Sequence, residues 1–192
     1  MTFKSDPNTS KSEIVLETSL QSFFYDQLLE INQKCASPLP HEAIYYSSLV
    51  MDHFGESGKY FELTDEGKVR EKTLGVKLLE ASNETRTTQR NMLKDVGDTA
   101  LFLCGYFSDS MNRKIIDISY YQEIGQIAYQ RLNHIVPEAY EVPSFFKKLS
   151  TKFSGVAELM NIVARNNLAH SEDAGVESYI LFVANSSKIK AS

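Results

Sequence analysis

Apolar side chains recur along this chain at three- and four-residue steps far more often than they alternate, the period of helices buried on one face. The segment "SEIVLETSLQSFFYDQLLEIN" sets Leu16, Leu20, Phe23/Phe24, Gln27/Leu28 and Ile31 on one such stripe. "SPLP" interrupts it. Pro40 can then occupy the first turn of a second helix, "HEAIYYSSLVMDHF", which stops at Gly55. Thr64 with Asp65 and Glu66 reads as a capped helix start, and "EGKVREKTLGVKLLEA" is expected to bury Val69, Leu74 (or Thr73), Val76 and Leu79. A long helix is expected from about Glu84 to Asn112, polar in its first half and nearly all apolar in its second. Ser119, with Gln122 at the reciprocal position of a capping box, is expected to start "ISYYQEIGQIAYQRLNHIV". Pro137 ends that helix, and Pro143 opens another through "SFFKKLSTKFSGVAELMNIVARNNLAH". Ser171, Glu172 and Asp173 lead into a short last helix, "GVESYILFVAN", while strand signals such as "KYFEL" are too few for a sheet. The pattern predicts an all-α, single-domain helical bundle of six to eight helices over residues 12–185, built around one central buried helix, without internal repeats. The polar ends, 1–11 and 186–192, are expected to be disordered.

Composition narrows the class without naming an activity. The 192 residues are 42% hydrophobic and 23% charged, enough to bury a core. The net charge of −5, with no block of Lys or Arg, argues against nucleic acid as a partner. No stretch approaches the roughly 20 apolar residues that span a bilayer. "MTFKSDPNTSKSE" has no apolar run after its charges, so neither a secretory signal nor a membrane association is expected. Cys35 and Cys104 lack metal-ligand spacing and read as free thiols of a cytoplasmic protein.

The most apolar run, "DVGDTALFLCGYFSDS", nevertheless carries two glycines and three aspartates. Leu93, Val96, Ala100, Leu103/Cys104 and Phe107 form one stripe, and Asp98, Phe102, Gly105 and Asp109 the opposite one, as in a helix packed all round. A carboxylate in such a helix must find partners. Asp98 and Asp109 are eleven residues apart, about 16 Å by helix rise, so they cannot share a metal or act as a close acid/base pair. Their candidate partners are Arg113, Lys114, Tyr120, Tyr121 and Tyr129, with Arg131 and Arg165 from neighbouring helices. Asp109 and Arg113 make an i,i+4 pair, and Asp117 and Ser119 lie at the start of the next helix. Two readings follow. The group Asp98, Asp109, Arg113, Asp117, Tyr120, Tyr121 and Tyr129 is either a structural network fixing a corner between core helices or the lining of a ligand pocket. Gly97 and Gly105 share a face, and Gly125 with Ala128 forms a similar notch on the following helix, so the two notches are expected to face each other.

The run from Gly97 to Tyr129 resembles an uncharacterised all-helical family of bacterial proteins with the pattern GD-x-x-L-F-x-x-G-F-F-x-D-S, then V-D-x-x-Y-Y and G-x-x-A-Y. The matching positions are Gly97, Asp98, Leu101, Phe102, Gly105, Phe107, Asp109, Ser110, Asp117, Tyr120, Tyr121, Gly125, Ala128 and Tyr129, with Tyr106 and Ile116 as mild departures. The resemblance covers 33 of 192 residues and implies a helical fold but no activity.

Catalytic signatures are missing. His41, His53, His134 and His170 show no i,i+3 or i,i+4 pairing, and HExxH and ExxH are absent, so no metal, haem or other cofactor is expected. His41 beside Glu42 at a helix start is faintly like a phosphoacceptor, but no Gly-rich nucleotide box follows; GxSxG, P-loop and GxGxxG are also absent. Ten tyrosines include the doublets Tyr45/Tyr46 and Tyr120/Tyr121, in each of which one ring is expected in the core and the other at a rim. Arg86, Arg90 and Lys94 make a basic stripe, either a solvated face or a dock for an acidic partner. The reading these features favour is a non-enzymatic regulatory or adaptor module that binds another protein, or itself as a homodimer. The alternative is a small-molecule sensor or enzyme with a polar pocket around Asp98, Asp109, Tyr120 and Tyr121.

Overall fold

The computed structural model describes residues 19–55, 62–63, 69–70, 74–106 and 118–170. Among them are seven α-helices: α1 (Leu20–Gln33), α2 (His41–Gly55), α3 (Leu74–Glu80), α4 (Arg86–Tyr106), α5 (Ile118–Ile135), α6 (Phe145–Thr151) and α7 (Phe153–His170). A 3-10 turn, Ala81–Asn83, leads into α4. Two short antiparallel pairs, β1 (Glu62–Leu63) with β2 (Val69–Arg70) and β3 (Glu138–Ala139) with β4 (Val142–Pro143), complete the described elements. The chain is an all-α, single-domain bundle.

Local chemistry sets the helix ends. The Ser19 hydroxyl caps α1 by accepting the Ser22 N–H at 3.1 Å, so the helix begins at Leu20. Asn32, buried at the end of α1, accepts the Leu39 N–H at 2.7 Å and donates to the Leu39 carbonyl at 3.0 Å. That clamp folds α2 back on α1. Pro40 stands just ahead of α2, its carbonyl accepting the first helical N–H groups from Ala43 and Ile44.

The long helix α4 is the centre, packing against α2, α3, α5 and α7. Its buried positions from Leu93 onward, including Val96, Gly97, Asp98, Ala100, Leu101, Phe102, Cys104 and Gly105, point to several sides, as the double stripe predicts. Contacts run from Cys104 against Ile118, through Asp98 against Tyr129, to Arg86 against Ile135, so α5 lies antiparallel to α4.

The glycine notches do not face each other. A Cβ on Gly97 would come within 2.6 Å of the Tyr129 ring, whereas one on Gly125 would come within 2.4 Å of the Phe153 ring and 3.0 Å of the Ala100 Cβ. Gly97 and Gly125 each receive an aromatic ring instead, and Gly105 receives Met160 of α7. Both rings are fully buried and have nowhere to move. Gly125→Ala gains about 1 kcal/mol of helix propensity but overpacks the core by more. A net loss of about 2 kcal/mol is expected in urea unfolding. Gly155, where a Cβ would meet only Leu39 at 3.7 Å, is the control. Gly155→Ala is expected to be neutral or to stabilise by up to about 1 kcal/mol. Equal effects at the two positions would contradict the packing.

Four expectations need correction. The helix predicted over residues 65–81 begins only at Leu74, and Val69 lies in β2. Leu74 and Leu78, an i,i+4 pair, take the core side, leaving Val76 46% and Leu79 68% exposed. Ser119 lies inside the first turn of α5 rather than capping it. A hairpin interrupts the stretch between α5 and α6, and the predicted last long helix is two helices broken at Lys152. Leu16, the last helix expected at 175–185, the end of the long helix beyond Tyr106, and both termini lie outside the described residues.

Candidate functional site

Asp98 sits in the middle of α4, where the helix passes from its polar to its apolar half, and is 5% exposed. Three side chains from three helices reach its carboxylate. The Tyr46 hydroxyl from α2 donates to Oδ1 at 2.5 Å, and the Tyr129 hydroxyl from α5 donates to the same oxygen at 2.8 Å. Lys94, one turn earlier on α4, donates its ammonium to Oδ2 at 2.5 Å. That ammonium also lies 5.2 Å over the Tyr46 ring, a cation–π contact.

The aromatic surroundings are dense. Tyr46 meets Tyr129, Tyr140, Phe145 and Phe146 edge to face, with centroids 5.3–6.3 Å apart. Burial, then the charge of Asp98, pushes the Tyr46 and Tyr129 hydroxyls well above the ordinary tyrosine range, so both remain donors. Tyr140 stands at the edge of the cluster, 49% exposed. Burial raises its phenol, the Lys94 charge lowers it, and Asp98 raises it again, which places that hydroxyl within electrostatic reach of both.

Tyr140 and Glu141 form the two-residue turn between β3 and β4, with φ of 54° and 60°. Two consecutive left-handed residues match a type I′ hairpin turn, where Asn-Gly is the usual pair. A bulky aromatic held there costs on the order of 1–3 kcal/mol. The edge-to-face contacts of Tyr140 with Tyr46 and Phe145 offset that cost.

The structure therefore brings together Asp98 and Tyr129 from the predicted polar group, and Lys94 from the predicted basic stripe. It does not bring Tyr120 and Tyr121 to them. Tyr121 is buried near the start of α5 and Tyr120 is 37% exposed, with its hydroxyl against Gly75 of α3. Eight residues of helix separate Tyr121 from Tyr129, about 12 Å. Arg131 turns to the Leu78 carbonyl and the Ser82 hydroxyl, both at 3.3 Å. Arg86 donates to the Ile135 carbonyl at 3.2 Å, and Arg90 is exposed, so the stripe is divided among three different roles. Asp109, Arg113, Lys114 and Asp117 lie outside the described residues.

Tyr46 is the site residue that the sequence pattern does not connect to Asp98. Its burial is signalled by the spacing of Ala43, Tyr46/Ser47, Val50 and Phe54, one buried stripe of α2. The doublets resolve as one ring in and one out: Tyr46 is 1% and Tyr45 46% exposed.

Four of the described residues of the Gly97–Tyr129 pattern, with Tyr129 itself, share a physical role. Gly97 accommodates Tyr129, Asp98 accepts from it, Gly125 accommodates Phe153, and the Gly105 carbonyl accepts from Asn161 at 3.0 Å. They form the junction of α4, α5 and α7.

A second feature lies on α3 and α5. Tyr120, Ile124, Ile127 and Arg131 fall on one stripe of α5, and α3 lies along it, with Gly75 against Tyr120 and Ile124, and Leu78 beside Arg131. On these two packed helices Leu79 and Val76 of α3 are 68% and 46% exposed, and Ile127 and Tyr120 of α5 are 39% and 37% exposed.

Among the described residues no three His, Cys, Asp or Glu side chains converge as metal ligands, and no helix is long and apolar enough to cross a membrane. Comparison of the chain with protein families, curated proteins and solved structures finds no match. The fold and site together define an all-α bundle with a carboxylate–phenol junction at its centre.

Proposed function

We propose that the protein is a non-catalytic helical adaptor that acts by binding another protein, or a second copy of itself, through the face shared by α3 and α5. The observation that carries this reading is the exposure of Leu79 and Val76 on α3 and of Ile127 and Tyr120 on α5, two helices packed against each other. Large apolar side chains gathered on a surface favour association. Tyrosine among them is a common anchor of protein interfaces. The Asp98 site supports the same reading, because Oδ1 already holds two phenol donors and Oδ2 an ammonium. A general base needs a lone pair directed at substrate. The free thiols of Cys35 and of buried Cys104 fit residence in the cytoplasm.

The test pairs light scattering with cross-linking and mass spectrometry on wild type, Leu79→Glu/Ile127→Glu and Arg86→Glu/Arg90→Glu. A dimer or an identified partner is expected in wild type and in the arginine variant, and is expected to be lost from the Leu79/Ile127 variant. A strict monomer without partners, or the same assembly in all three proteins, would refute the proposal. Loss only on reversing the arginines would shift the contact to the basic stripe of α4.

A further inference from the structure

The Lys94–Asp98 pair is asymmetric in a way that an ordinary ion pair on a helix surface is not. The Asp98 side chain is 7% exposed, whereas the Lys94 side chain is 45% exposed. The anion is built into the core and the cation reaches it from solvent on a flexible four-carbon stem. Tyr46 and Tyr129 converge on Oδ1 and orient the carboxylate, leaving Oδ2 to the ammonium. The face of Tyr46 lies beneath that ammonium at 5.2 Å, and the half-exposed Tyr140 on the hairpin turn meets the same Tyr46 ring edge to face at 5.8 Å. A buried carboxylate oxygen, an aromatic face and a tyrosine rim are the elements that recognise an organic cation.

We propose that Asp98, Tyr46 and Tyr140 form a binding site for an alkylammonium group, and that Lys94 is its occupant in cis. Another primary or methylated ammonium takes the place of the Lys94 head group when that side chain swings into solvent. A guanidinium fits less well, because its two-pronged geometry seeks both carboxylate oxygens and Oδ1 is already committed to the two phenols. The ligand is either a free amine or a lysine side chain of a partner, and both supply the same chemistry. The site does not use the α3–α5 face, so it stands or falls independently of the proposed adaptor surface.

The test is titration of n-butylammonium into wild type, Lys94→Ala and Lys94→Ala/Asp98→Asn, followed by NMR shifts of the tyrosine ring protons. Lys94→Gln, which keeps most of the stem, is run beside Lys94→Ala in case the shorter side chain impairs folding. Saturation in the millimolar range is expected for a Lys94 variant. Binding to wild type is expected to be at least about tenfold weaker, since Lys94 fills the site most of the time. The double variant is expected not to saturate, and ethylguanidinium is expected to bind more weakly than n-butylammonium. A short peptide with a single lysine between glycines separates the two sources. Tighter binding than n-butylammonium indicates a partner's lysine, and equal or weaker binding indicates a free amine. A folded Lys94 variant that shows no saturable shift, or one that binds equally well after Asp98→Asn, would overturn the proposal.

Discussion

Asp98→Ala is expected to destabilise the protein by about 3–5 kcal/mol, more than any other single substitution in the carboxylate–phenol network. Removing the carboxylate leaves the Tyr46 and Tyr129 hydroxyls, on residues 1% and 0% exposed, without their acceptor. An orphaned buried donor costs roughly 1–3 kcal/mol, and here there are two. Lys94 contributes less, because its half-exposed ammonium can return to water. The same logic ranks the other substitutions. Tyr46→Phe and Tyr129→Phe each remove one donor while Asp98 keeps the other and Lys94, so each is expected to cost about 1–2 kcal/mol. Tyr46→Phe/Tyr129→Phe/Asp98→Leu removes both sides of the network at once. It is expected to be more stable than Asp98→Ala, since no hydroxyl is then stranded. Urea unfolding midpoints of wild type and these four variants check the order. An Asp98→Ala cost below about 1 kcal/mol would mean that water reaches the phenols and that the network is not closed. Total stabilities of such domains are about 5–15 kcal/mol, so a loss at the upper end would leave little folded protein near body temperature.

That Asp98 stands out in the sequence at all follows from its setting. A carboxylate within "GDTALFLCG" violates the apolar pattern, and a violation in a core helix demands a partner. Tyr129 is within reach of that reasoning because α4 and α5 are consecutive in the pattern and pack antiparallel. Tyr46 is not, since it lies 52 residues away and nothing local states which face of α2 meets α4. Helix periodicity shows that a residue is buried but not against what. The β3–β4 hairpin escapes the pattern for a different reason. Tyr140-Glu141 is a poor turn sequence, and the residues that make the turn tolerable are Tyr46 and Phe145, elsewhere in the chain. Likewise nothing at Lys152 announces a break. Phe153, the first residue of α7, packs its ring against Gly125 of α5, a tertiary contact that no local pattern states. The basic stripe fails through its geometry: i,i+4 spacing places Arg86, Arg90 and Lys94 on one face, but it also places Lys94 one turn from Asp98. Val76 and Leu79 look like core in the pattern, but the helix turns Leu74 and Leu78, four residues apart, inward and leaves both outside that stripe.

Alkaline unfolding is the second large effect expected. Burial pushes the Cys104 thiol from an ordinary value of 9.0 up to about 12 and the Tyr106 phenol from 10.0 up to about 12. Burial and the Asp98 charge raise Tyr46 and Tyr129 well above 10.0. All four groups are neutral in the folded protein at pH values where they ionise in the unfolded chain. The unfolded state therefore holds fewer protons, and stability falls as pH rises. Their contribution is fully present below pH 9 and is lost as pH climbs through the folded values. Each group contributes a slope of about 1.4 kcal/mol per pH unit within its window. Between pH 9 and 10 Cys104 acts alone. Above pH 10 the four together reach about 5 kcal/mol per pH unit, comparable to the whole stability of a small domain. The protein is thus expected to unfold cooperatively within about one to two units above pH 10. Tyrosinate absorbance from the buried Tyr46 and Tyr129 rings should appear together with the loss of helical circular dichroism. Cys104→Ala should remove the decline between pH 9 and 10, and Tyr129→Phe should flatten the decline above pH 10 by about 1.4 kcal/mol per unit. Buried tyrosines that ionise gradually while helicity persists would show that the phenols around Asp98 exchange protons with solvent, which the closed geometry of Tyr46, Tyr129 and Asp98 does not allow.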